Sequence, residues 1–141
     1  MLKLEGVQKH YGDHRALAGL SLDIPAGIVF GFLGQNGAGK TTTMKIIAGL
    51  IQASNGRVII DHVETTSDPV TAKSKVGYIP DRPYLYDRLT GTETMEFIAE
   101  LFNLDRDIAQ QTAEQLLQRF GIHHAKDKHV ETYSHLSLIH I

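Results

Sequence analysis

Cysteine is absent from the 141 residues. That excludes a disulfide framework, a thiolate metal site and a cysteine nucleophile, and it fits a reducing compartment. Proline is scarce, with four scattered residues, and neither a fixed-period repeat nor a low-complexity tract breaks the chain. Long apolar runs are missing too. The longest, residues 28–33 with one glycine inside, is far short of the ~18–20 residues that span a bilayer. At the amino end Glu5 stands where a secretory signal carries its apolar block, so a soluble, intracellular chain is expected. Charge of one sign is also lacking. Fourteen basic against sixteen acidic residues leave a net charge of −2, which supplies no footprint for nucleic acid or an anionic membrane. What is present is the make-up of one ordinary domain, 42% hydrophobic and 21% charged. A chain of this size buries roughly two thirds of the surface that its unfolded form exposes.

Leu2, Leu4 and Val7 suggest a first strand, and residues 16–24 a second after the turn residues 11–14. With a further turn at Pro25-Ala-Gly27, the opening reads as an antiparallel hairpin or small meander. Residues 28–33 are apolar at nearly every position, which predicts a central strand covered by helices on both faces. A helix is expected over residues 40–50, and short strands over 56–60 and 76–79. Thr90-Gly-Thr-Glu93 has the capping-box pattern before a helix carrying Met95, Ile98, Leu101 and Phe102. Asp105 is placed to cap another helix, with a stripe from Ile108 to Phe120 and Gly121 just past its end. Core burial accounts for both of these helices. Together these elements predict an α/β layer architecture.

The chemistry is concentrated in Gly34-Gln-Asn-Gly-Ala-Gly-Lys-Thr-Thr42. This segment contains G-x-x-x-x-G-K-[ST] between an expected strand and an expected helix, which is the context the motif requires. A glycine-rich loop can turn successive backbone N–H groups onto a phosphate, and the following helix end adds partial positive charge. Lys40 supplies an ammonium for the β/γ-phosphates, Thr41 a hydroxyl for Mg²⁺, and Thr42 a bond to a phosphate oxygen. The D-x-x-G and N-K-x-D patterns of a GTPase occur nowhere in the sequence.

With Met44-Lys-Ile-Ile-Ala-Gly-Leu50 and Ser54-Asn-Gly56 following, residues 1 to about 134 resemble the nucleotide-binding subunit of ATP-binding cassette (ABC) transporters. The resemblance implies a P-loop NTPase-type core with an antiparallel β-subdomain and the start of a helical subdomain, incomplete within this chain. Its expected layout is β-subdomain and loop-bearing core over 1–89, helical subdomain over 90–135 and an atypical tail over 136–141. The expected cofactors are ATP and Mg²⁺, with Tyr11, Gly34, Gln35, Asn36, Gly37, Ala38, Gly39, Lys40, Thr41 and Thr42 around the nucleotide. Taken alone, Tyr11 before Gly12 is a turn residue; the resemblance implies that it stacks on adenine. Asp81 stands where the family carries a glutamine near Mg²⁺ or the attacking water. It reads either as a metal-proximal carboxylate or as a surface turn acid. Tyr84, Leu85 and Tyr86 read either as a contact for a membrane partner or as ordinary packing.

The match fails at the signature region. Glu131-Thr-Tyr-Ser-His135 begins a signature variant, making Ser134 a candidate, but Leu136-Ser-Leu-Ile-His-Ile141 does not continue it. A chain cut short inside the signature region is the expectation. Lys40 is then the one catalytic group, stabilising phosphate charge, and no general base is placed by motif. His123, His124, His129, His135 and His140 lack the spacing of a metal set and read as solvated. The implied role is the ATPase subunit of a transporter at the cytoplasmic face of the membrane, partnered by a permease and a second ATPase subunit, with no nucleic acid. The chain itself would bind ATP without hydrolysing it. A non-catalytic ATP-sensing adaptor and a soluble ABC-type ATPase unlinked to transport stand as alternatives.

Overall fold

In the computed structural model, which describes residues 1–81 and 84–133, strand β1 (Leu2–Tyr11) turns through Gly12 and Asp13 into β2 (His14–Ile24). Strands β3 (Asn55–Ile60) and β4 (Val63–Glu64) complete a sheet of order β2-β1-β3-β4 in which every pairing is antiparallel. The hairpin expected from the turn signals is therefore present, and β3 joins its free side.

The apolar spacing explains an irregularity in this sheet. Strict alternation would put Leu4 and Val7, three residues apart, on opposite faces. The ladder shifts register between them against both neighbouring strands. Gly6, at φ 56°, absorbs the extra residue as a bulge. Leu4 and Val7 are then both buried. A second shift, opposite Val7 and Gln8, does the same for the three-residue step from Leu17 to Leu20 on β2. The buried cluster is Leu4, Val7, Leu17, Val58 and Ile60 from the sheet with Ile46 from helix α1 (Lys40–Ile47). Helix α2 (Pro69–Ser74) follows β4; Asp68 accepts from the Thr71 N–H at 3.1 Å, and Pro69 occupies the first turn.

The chain divides into two compact units, Met1–Tyr78 and Ile79–Ile141. In the second, α3 (Gly91–Leu101) opens with the expected capping box. The Thr90 hydroxyl accepts from the Glu93 N–H at 3.1 Å, and the Glu93 carboxylate accepts from the Thr90 N–H at 2.7 Å. Asp105 caps α4 (Arg106–Arg119) by accepting from Asp107 and Ile108, and Gly121, at φ 70°, follows its end. Glu114 on α4 joins two later groups, accepting from Lys126 at 2.5 Å and bonding His123 at 2.7 Å. Leu117, Ile122 and Val130 are buried in this unit.

Three expectations are corrected. Residues 28–33 form no strand, and Val29 and Leu33 are 103% and 92% exposed. Residues 76–79 form none either. A covered parallel strand takes its stability from neighbours on both edges and helices on both faces, and none of these flanks 28–33 among the described residues. Core burial does not account for all of α3 and α4. Leu101, Phe102 and Ile108 are exposed, because a two-helix layer covers one side of each apolar stripe and leaves the other open.

Candidate functional site

Between β2 and α1, residues 25–39 carry no helix or strand. The glycine loop ends there in two left-handed residues, Gly37 at φ 83° and Gly39 at φ 84°. Gly39 meets a second constraint. A Cβ at this position would lie 2.5 Å from Leu17 Cδ2 and 2.6 Å from the Ala16 carbonyl oxygen, so the loop rests directly on β2 and only glycine allows the approach. Gly34 differs, since its nearest neighbours, Ala38 Cβ and Lys40 Cδ, are 3.6 and 3.9 Å from such an atom.

The helix that follows starts without a side-chain cap and without an acid in its first turn. Its leading N–H groups therefore keep the partial positive charge of an open helix end. The Lys40 ammonium folds back over the loop and donates to the carbonyls of Gly34 at 2.6 Å and Gln35 at 2.7 Å. One internal turn, Ala38 N–H to the Gln35 carbonyl at 3.2 Å, shapes the segment. The three consecutive threonines are distinct. Thr41 is exposed and Thr42 half-buried. Thr43 is buried and donates its hydroxyl to the Gly39 carbonyl at 3.0 Å, so it secures the loop from behind.

Residues 34–42 thus present N–H donors, one ammonium and two hydroxyls, and contain no carboxylate. That donor set fits a polyanion. It also offers one exposed hydroxyl oxygen, Thr41, which suits Mg²⁺, a cation that takes one or two protein oxygens together with phosphates and water. Tyr11 belongs to the same unit. It pairs with His14 at the hairpin end, two residues from Ala16, or about 7 Å along an extended strand. The residue is 49% exposed, and the Lys9 ammonium lies 5.2 Å from the centre of its ring.

Tyr11 and Gly34, Gln35, Asn36, Gly37, Ala38, Gly39, Lys40, Thr41 and Thr42 all fall in the first unit. Asp81 is exposed and falls in the second. Tyr86 packs edge-on against Phe97 at 5.4 Å, while Tyr84 is 95% exposed. Ser134, His135 and His140 lie outside the described residues. Sequence reasoning passed over the Ala16–Leu17 wall and the seat of Lys9 on Tyr11. Their i, i+2 spacing on an expected strand was the available signal for the second; the first depends on a contact between distant segments, for which no local signal exists.

Residues 17–138 match the family model described as ABC transporter. The chain belongs to this family. Among its ABC relatives is the daunorubicin/doxorubicin resistance ATP-binding protein DrrA of Streptomyces peucetius. It is 34% identical over 133 residues, covering 94% of this chain and 40% of the relative. The linearmycin resistance ATP-binding protein LnrL of Bacillus subtilis (strain 168) is 35% identical over 135 residues, covering 95% and 43%. The chain spans about two fifths of the length of these relatives. A solved ATP-binding subunit of an ABC transporter superposes with a TM-score of 0.88 at 25% identity, over 99% of this chain and 58% of that one. The fold is accordingly part of the α/β, P-loop type of ABC ATPase domain, with the antiparallel sheet as its β-subdomain.

Proposed function

We propose that this chain is the nucleotide-holding part of the ATPase subunit of an ABC transporter, and that residues 34–42 hold the polyphosphate of Mg-ATP. One observation carries the reading: a carboxylate-free loop with two left-handed glycines leads into an uncapped helix, with the Lys40 ammonium lying across it. In this role Lys40 exchanges its two carbonyl acceptors for β/γ-phosphate oxygens, and the backbone amides of residues 36–42 surround the phosphates. Gly34, Gln35 and Ala38 frame the loop. Thr41 ligates Mg²⁺ and Thr42 bonds a phosphate oxygen. Tyr11 stacks on adenine. Bound Mg²⁺ neutralises phosphate charge.

In the assembly, the loop of one ATPase subunit works beside a second such subunit and drives a membrane permease from the cytoplasmic face. Among the described residues, no helix is long and apolar enough to cross a membrane. The 141 residues place no general base by motif, so this chain binds Mg-ATP without steady-state turnover. Two measurements test the reading. Calorimetric titration with Mg-ATP should give saturable binding that Lys40→Ala weakens about tenfold or more, the worth of a charge-assisted hydrogen bond. A phosphate-release assay should stay at background. Affinity unchanged by Lys40→Ala would refute the site, and lysine-dependent phosphate release would refute the absence of turnover.

A further inference from the structure

Lys9 stands two residues before Tyr11 on β1, so both side chains leave the strand on the same face. The 5.2 Å between the Lys9 ammonium and the centre of the Tyr11 ring is inside the ~6 Å reach of a cation–π contact. The same ammonium donates to the Gln52 carbonyl at 2.8 Å. That carbonyl lies in a segment which is itself tied down. The Ser54 N–H donates to the Gln8 carbonyl at 2.8 Å, and the Ser54 hydroxyl accepts from the His10 N–H at 3.1 Å. A long, flexible side chain is therefore clamped at its far end, with its charge held over one face of the tyrosine. Tyr11 as a residue is 49% exposed, so a ligand approaching it would meet the ring on the side away from Lys9.

We propose that Lys9 is a positioning residue for the nucleotide base: by occupying one face of Tyr11 it fixes the ring and directs a purine onto the opposite face. The inference rests on reading residues 34–42 as the polyphosphate site and Tyr11 as the base platform. Two physical effects support it. An exposed tyrosine free to rotate loses that freedom when a base stacks, whereas a ring already held by Lys9 has less to lose. The ammonium also draws on the negative π-face of the ring, which lessens its repulsion toward the π-electrons of a stacked base. Lys9 makes no contact with phosphate in this scheme. Its influence reaches the ligand through the base alone.

The test compares the affinities of the purified chain for Mg-ATP and for magnesium tripolyphosphate, which has no base. Lys9→Met should weaken ATP about two- to fivefold, the worth of an exposed cation–π contact, and leave tripolyphosphate unchanged. Lys9→Arg, which keeps both the cation and the donor, should restore ATP affinity. In the Tyr11→Leu background, Lys9→Met should have no further effect, because a residue acting through the ring has nothing left to act on. Far-UV circular dichroism and thermal melting confirm that each variant is folded. Equal weakening of both ligands by Lys9→Met would overturn the proposal, and so would an undiminished effect without the tyrosine or an ATP affinity that does not change. If wild-type protein binds neither ligand, the loop reading itself fails and this inference falls with it.

Discussion

Gly39 answers to two constraints at once, a left-handed backbone and a wall of Leu17 and Ala16 atoms within 2.6 Å of any added Cβ. Gly39→Ala should therefore cost about 2–4 kcal/mol, combining backbone strain with overpacking, read as a lower midpoint in urea unfolding. Gly34→Ala meets neither constraint and should change stability by less than about 0.5 kcal/mol in the same experiment. Both glycines belong to one motif, and the sequence pattern treats them alike. The pattern made the loop legible because its chemistry needs fixed residue types at fixed spacing. It could not separate the glycine that a neighbouring strand requires from the one that it does not. The same holds for the threonines: the spacing pointed to Thr41 and Thr42, while the burial of Thr43 and its bond to Gly39 came from packing.

Helix ends were the most legible elements, because a cap is a contract among residues three or four apart. Thr90→Ala breaks one half of a reciprocal pair and should destabilise the chain by about 1 kcal/mol, measurable by thermal or urea unfolding. The same region sets a pH dependence. The Thr90 backbone N–H holds the Glu93 carboxyl below its ordinary value of 4.5. The Lys126 ammonium, and after it His123, do the same for Glu114, outweighing its partial desolvation. Between the ordinary value and these lowered ones, the unfolded chain binds more protons than the folded one, so stability rises with pH there. The contribution is complete above about pH 5 and is lost as the pH falls through the lowered folded values. Unfolding midpoints followed from pH 6 down to pH 3 should fall, and Glu114→Gln should make that decline shallower. Helix α2 was also readable from Asp68 and Pro69, a cap followed by a first-turn proline, but its six residues gave no periodicity to notice.

At the scale of the whole chain, local signals run out. Residues 28–33 carry a strand's composition, yet the hydrogen bonds of a covered strand come from other segments, and composition cannot supply them. The antiparallel sheet was easier to anticipate in part, since a two-residue turn joins β1 to β2, whereas the arrival of β3 at β1 crosses more than forty residues of sequence. Exposed Val29 and Leu33 make the chain prone to associate with itself. A Val29→Lys, Leu33→Lys double variant should lower light scattering at high protein concentration while leaving the far-UV spectrum unchanged. Among the described residues, one backbone bond, from Ala38 to Gln35, begins and ends within residues 25–39. Amides there lack the ladder that slows deuterium uptake elsewhere. Residues 34–39 of the candidate site therefore sit in a segment whose main chain is open to exchange with water, and that exchange serves as a clock: ligand arrival would register as a local slowing, with no label and no turnover needed to see it.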